Sequence, residues 1–332
     1  MSRRAPRSPR RTLGALTLAG VVLLAACGDD DSADGSVPAS DAASAASDAP
    51  MVGSCEGTFP VTVTGGSGEV TLDAAPERIV MLSPTHTEMV FAIGAGDQVV
   101  AVDDQSNYPA AAVLKSSSLS GYEPNVESIA GYEPDLVVVG DDFTGLTEQL
   151  ASLDIPVWSG PTATSLDDVY AQITQLGQLT GCVGGAAATV ADMRTKIETA
   201  VAGIEPVAEP LTYYYELDDT YYSVTSTSFM GQMLGLFGLR SIADGVSEGN
   251  DYPQLSAEAI IEADPDLIFL ADTKCCGQSA ETVAARPGWG GIAAVTNGNV
   301  IVLDDDIASR WGPRLVELVA AVSQALSGST TG

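Results

Sequence analysis

The chain of 332 residues contains one histidine, His86. Sites for bare zinc or manganese generally gather several imidazoles with carboxylates. A single imidazole therefore argues against a carrier of naked ions. Basic residues are also scarce, 14 Lys and Arg against 44 Asp and Glu. That balance argues against a nucleic-acid partner and against a basic membrane-surface patch. It also disfavours a strongly anionic ligand unless arginines line the site. The five cysteines show no Cys-x-x-Cys and no zinc-type spacing. There is no Gly-x-Ser-x-Gly elbow, phosphate-cradling loop or His-Glu-x-x-His. Gly94-Ala95-Gly96 lacks the third glycine of a dinucleotide fingerprint. An enzyme thus finds little support, and no resident cofactor or protein-bound metal is expected. After Leu24 no hydrophobic run is long enough to span a bilayer.

What is present begins with five arginines (Arg3, Arg4, Arg7, Arg10, Arg11) and an apolar run from Leu13 to Leu24. The run is too short for a mature membrane helix and reads as the core of an export signal. It ends in Leu24-Ala25-Ala26-Cys27, a lipobox in which Cys27 is diacylated and becomes the mature N-terminus. The alternative is a buried cysteine behind a plain signal peptide. Residues 1–27 are accordingly expected to be a lipoprotein signal peptide, with the Sec or twin-arginine route left open. Residues 28–54 are mostly Gly, Asp, Ser, Ala and Pro, too polar to order themselves. As a coil they form a tether with ends about 25–30 Å apart. All 44 acidic residues follow Cys27, whereas five basic ones precede it, so the mature chain is strongly acidic.

The rest, about residues 55 to 328, is long enough for two lobes with real cores. A short pattern occurs once in each half: ESIAGYEPDL at 127–136 and EAIIEADPDL at 258–267. Each copy reads as a short helix, a Pro-Asp turn and a buried strand. Residues 59–73 predict a hairpin, 78–82 a buried strand, and Thr85 with Glu88 fits a capping box opening the next helix. Strands alternate with helices in both halves, and 185–204 is a long helical stretch between them. The expected fold is α/β: two lobes with mainly parallel sheets. The boundaries are 55–182 for the N-terminal lobe, 183–206 for the connecting helix and 207–328 for the C-terminal lobe. Ligands bind such sheets at the carboxyl ends of the strands.

Four cysteines lie in the body: Cys55, Cys182, Cys275 and Cys276. They allow three disulfide pairings. Cys55 opens the first lobe and Cys182 closes it, which favours that pair. Cys275 and Cys276 then form a vicinal disulfide or stay a dithiol, the disulfide being the plainer expectation.

Residues 76–96 (PERIVMLSPTHTEMVFAIGAG), Ser-Asn-Tyr-Pro at 106–109, both Glu…Pro-Asp-Leu copies and 304–314 (DDDIASRWGPR) resemble substrate-binding proteins of ABC importers for iron-siderophores and cobalamin. The likeness runs in order from about residue 70 to 328. It implies two Rossmann-like lobes joined by one long helix, matching residues 185–204, in a monomeric, lipid-anchored receptor on the outer face of the bacterial cytoplasmic membrane. Such a receptor closes little on its ligand and hands a metal chelate, cobalamin or a ferric siderophore, to a permease dimer. A haem-binding protein of the same fold, a chelatase-like enzyme and a signalling lipoprotein are the alternatives. The resemblance also implies that Glu127 and Glu258 dock onto permease arginines, where the plainer reading is two solvated helix glutamates. Candidate ligand contacts in the first lobe are Thr85, His86, Asn107, Tyr108, Tyr122, Asp142 and Phe143. In the second they are Tyr221, Tyr222, Tyr252, Lys274, Asp306, Arg310 and Trp311. His86 is expected on the cleft rim, and Arg314 in a structural salt bridge.

Overall fold

The computed structural model describes residues 55–205 and 209–329. The signal peptide with Cys27, and the tether up to residue 54, lie outside the described residues. Among these no helix is long and apolar enough to cross a membrane.

The hairpin forms as expected: β1 (Val61–Gly65) pairs antiparallel with β2 (Gly68–Leu72). Val63, Val70 and Leu72 point inward, and Thr62 and Thr71 share an outer hydroxyl bond. Four parallel strands follow: β3 (Ile79–Leu82), β4 (Val99–Val102), β5 (Leu136–Val139) and β6 (Val157–Ser159), in the order β4-β3-β5-β6. The second sheet is parallel too. It comprises β7 (Thr212–Glu216), β8 (Arg240–Ser241), β9 (Leu267–Leu270) and β10 (Val300–Val302), in the order β10-β9-β7-β8. Both sheets therefore run second-first-third-fourth in chain order, one plan used twice.

The repeated sequence pattern has a mechanical cause. In each copy a short helix, Val126–Ala130 or Ala257–Ala263, is followed by a left-handed residue directly before proline. These are Glu133 (φ 48°) and Asp264 (φ 46°), where a following proline disfavours the right-handed region. The aspartate after each proline then clamps the start of the sheet's first strand. Asp135 accepts from the N–H groups of Glu77 and Arg78, and Asp266 from that of Thr212. Ile129 and Ile260, at matching positions, are fully buried.

The alternation of strand side chains sorts the interior into three cores. Val80, Leu82, Val137 and Val139 face a core confined to the first sheet's outer side. Tyr214, Ile268 and Leu270 do the same for the second. Their neighbours Ile79, Met81, Leu136, Val138, Tyr213, Tyr215, Leu267 and Phe269 belong to one continuous core shared by both halves. The helix Val183–Ala202 lies between the halves in sequence and packs on helices Leu166–Thr180 and Leu315–Ser329. Gly177 permits the first contact: a Cβ there would lie 2.4 Å from the Cβ of Ala186.

The favoured disulfide, Cys55–Cys182, is formed. Cys275 and Cys276 are free thiols, which corrects the expectation of a second bridge. The capping box of Thr85 and Glu88 is also absent. Ser83 is the N-cap, Pro84 the first helical residue, and Glu88 is buried.

Candidate functional site

Loops at the carboxyl ends of the two sheets meet along a polar seam. Its centre is Glu88, on the helix after β3, which sequence reading assigned to a cap. Arg310 donates to Glu88 Oε1 at 2.8 Å. Arg314 donates to both Glu88 oxygens at 2.6 and 2.9 Å. Arg310 also reaches Asn107 Oδ1 (2.9 Å), the Gln105 carbonyl (3.2 Å) and Asp306 Oδ1 (2.7 Å). Asn107 in turn donates to Asp306 at 3.1 Å. The Arg314 guanidinium lies 4.3 Å from the centre of the Tyr108 ring. The glutamate side chain is 2% exposed. Removing one partner of such a buried ion pair costs about 3–5 kcal/mol, because the other charge is left unpaired.

Three successive aspartates do three different jobs here. Asp304 caps the helix Asp305–Ser309 and pairs with Lys274. Asp305 accepts the backbone N–H groups of Thr273, Lys274 and Cys275. Asp306 holds Lys274 and Arg310. Partial desolvation pushes the Asp306 carboxyl up, but the Lys274 hydrogen bond and the Arg310 charge bring it below the usual carboxylate range.

Next to the seam is a cavity of about 190 Å³. Thr162 and Ala163 line it from the first lobe; Tyr215, Phe229, Met230, Tyr252, Arg310 and Trp311 line it from the second. Trp311 donates its indole N–H to Gln172 Oε1 at 3.1 Å. The same oxygen lies 3.0 Å from His86 Nε2, and Ser83 Oγ lies 2.7 Å from Nδ1. Since Gln172 offers its carbonyl to both, His86 donates from Nε2 and accepts from Ser83 at Nδ1. Burial holds this imidazole down at about 4, against the pull of the Gln172 hydrogen bond and the Asp141 charge. Gly160 makes the space: a Cβ there would lie 2.1 Å from His86 Nε2.

Among the candidate contacts, the structure brings Asn107, Tyr108, Lys274, Asp306, Arg310, Trp311 and Tyr252 to the seam and its cavity. Others are placed differently. His86 is fully enclosed, and both its ring nitrogens are engaged, so the rim position is corrected. Thr85 is buried beside it in the same helix. Asp142 accepts from Leu146 and Thr147 at the start of their helix, which makes it a helix cap. Tyr221 packs on Trp289, with ring centroids 5.7 Å apart. Tyr222, Tyr122 and Phe143 are 40%, 83% and 91% exposed. Sequence reading missed Glu88, Gln172, Phe229 and Met230. For Glu88 one signal existed, a charge flanked by the apolar run MVFAIG. Glu127 and Glu258 occupy the same place in their helices, one residue after the first, and both are exposed. No group of three or more His, Cys, Asp or Glu side chains among the described residues is placed to hold a metal ion.

The model of the periplasmic binding protein family matches residues 79–307. A "Cobalamin-binding protein" of Halobacterium salinarum is 33% identical over 283 residues, covering 82% of this chain and 76% of that protein. The "Uncharacterized ABC transporter substrate-binding lipoprotein YvrC" of Bacillus subtilis is 30% identical, covering 82% and 87%. The crystal structure of the periplasmic vitamin B12 binding protein BtuF of Vibrio cholerae superposes with a TM-score of 0.61 at 24% identity, covering 77% and 98%.

Proposed function

This chain belongs to the periplasmic binding protein family, and we propose that within it the protein is the lipid-anchored receptor that delivers a corrinoid to an ABC importer. Membership makes it an extracytoplasmic substrate-binding protein for a small chelate, and not an enzyme. The corrinoid assignment rests on the charge state of the seam. Lys274, Arg310 and Arg314 are each already paired with carboxylates. These cations are therefore spent and leave no excess positive charge for haem propionates or a catecholate siderophore. The enclosed His86 offers no lone pair to haem iron. A bulky ligand of low net charge suits the exposed faces of Tyr108, Tyr222 and Tyr252, since such rings supply contact area at little entropic cost. The relative named for cobalamin, at 33% identity, points the same way.

Sites for drug-sized ligands occupy about 300–1,000 Å³. The cavity beside Arg310 is smaller, so a corrinoid enters only as the Glu88–Arg310 seam parts. The lipid anchor at Cys27 is supported by the lipobox and by the lipoprotein relative.

Titration with cyanocobalamin, a ferric hydroxamate, a ferric catecholate and haemin tests this reading. Trp311 lines the cavity, so tryptophan fluorescence reports occupancy, with calorimetry giving the stoichiometry. Tight, reversible one-to-one binding of cyanocobalamin alone is expected. Binding of haemin or the catecholate without cyanocobalamin would overturn the corrinoid assignment.

A further inference from the structure

The loop after β9 carries two adjacent cysteines that the transport reading leaves unused. The sulfurs of Cys275 and Cys276 are 2.6 Å apart, with Cys275 exposed and Cys276 partly so. Cys55 and Cys182 are already joined to each other, and Cys182 is fully buried. The loop is anchored on both sides. Asp305 accepts the backbone N–H groups of Thr273, Lys274 and Cys275 at 2.9–3.1 Å. The carbonyl of Asp272 accepts from Cys276 and Gln278 at 3.2 and 3.4 Å. Gln278 is tied through Arg286 to the buried Glu216. Gly277, with φ 68°, turns the chain directly after the pair. The two thiols are thus held together by the fold and need no search to meet.

We propose that Cys275 and Cys276 form a reversible thiol–disulfide site, and that its oxidation state is transmitted through Asp305 and Lys274 to the segment holding Arg310 at the seam. The oxidant is an external disulfide, small-molecule or protein. One thiolate attacks it, forming a mixed disulfide and releasing the first thiolate product. The second cysteine sulfur then displaces the other product and closes the Cys275–Cys276 bond. Two electrons reduce the external disulfide, and the two cysteine protons end on its two thiols. Closure across a single peptide makes a small, strained ring on an exposed loop. Strained, exposed disulfides are the labile ones, so the step reverses under reducing conditions.

Coupling to the seam follows from two contacts. The small ring resets the backbone torsions of both cysteines, and the Cys275 N–H is one of those that Asp305 holds. Lys274, next in the chain, bridges Asp304 and Asp306 at 2.7 Å each. Asp306 in turn holds Arg310. Oxidation therefore loosens the acidic segment. This chemistry needs no bound ligand, so its test stands apart from that of the corrinoid assignment.

The full chain is equilibrated in glutathione buffers from reducing to oxidising, alkylated, digested and weighed. The peptide carrying Cys275 and Cys276 is expected to take two alkyl groups when reduced. When oxidised it is expected to take none and to lose two hydrogens, while Cys55–Cys182 stays closed throughout. Two alkyl groups in every buffer, or glutathione adducts on both cysteines without ring closure, would overturn the site. Hydrogen exchange reads the coupling. Amides of residues 303–314 are expected to exchange severalfold faster on oxidation in the parent chain, and equally in both buffers in the Cys275→Ser/Cys276→Ser variant. Unchanged exchange in the oxidised parent would overturn the coupling.

Discussion

At the scale of single residues, two polar side chains that composition places on a surface turn out to organise the interior. His86 is fully buried and kept neutral; Glu88 is buried and paired with two arginines. The histidine makes stability depend on pH with a definite sign. Its ordinary value is 6.5 and burial lowers it to about 4 in the fold. Between those values the unfolded chain binds the proton and the folded chain does not. The contribution is complete above pH 6.5 and drains away as the pH falls towards 4, about 3 kcal/mol in all. Urea unfolding at pH 7 and pH 4 should show it. The stability gap between parent and His86→Asn is expected to narrow by about 3 kcal/mol at the lower pH. An equal gap at both would show that His86 does not titrate between the states. The sequence displayed a lone histidine but not its burial. Its partner Gln172 lies 86 residues away, and only the tertiary fold brings the two together.

At the scale of elements, the repeated Pro-Asp-Leu acts as a staple. Each aspartate ties the entry of the third strand to the start of the first. Hydrogen bonds to a charged acceptor contribute about 1.5–3 kcal/mol, and less where water competes. Asp266→Ala is therefore expected to destabilise the protein by about 1.5–3 kcal/mol. Asp135→Ala should cost less, because its bonds are exposed whereas those of Asp266 are partly buried. Chemical denaturation ranks the two variants, and the reverse order would mean the staple is not what the motif supplies. The larger elements were legible from periodicity and turn chemistry: the hairpin, the buried strands, and the helices Leu166–Thr180 and Val183–Ala202. Missed were the short helices Ala110–Val113, Ala280–Ala284, Ala293–Thr296 and Asp305–Ser309, together with two-residue β8. Such pieces are too short to show a period. The last of these helices is set by Asp304 capping and by Lys274, far away in sequence.

At the scale of the molecule, the shared core decides how the proposed docking works. Strand residues from both sheets pack into one continuous interior, so the lobes cannot separate freely without exposing it. The helices Val126–Ala130 and Ala257–Ala263 pack through Ile129 and Ile260 on the separate outer cores of the two lobes, each with its glutamate at the second position. Each glutamate is therefore held by its own lobe. Two fixed carboxylates on lobes of one plan suit a two-fold permease that presents arginines. Neither glutamate touches the seam, so docking and cargo binding are separable. The Glu127→Arg/Glu258→Arg variant is therefore expected to bind its ligand with unchanged Kd and to fail in cellular uptake. Each single reversal should impair uptake partially, because one anchor still holds. The acidic excess of the chain as a whole, 44 acidic residues against 14 basic, cannot rescue the double variant, since charges beyond about 8–10 Å from the contact are screened at physiological salt. Normal uptake by the double variant would remove both glutamates from the docking surface and leave them as solvated helix residues.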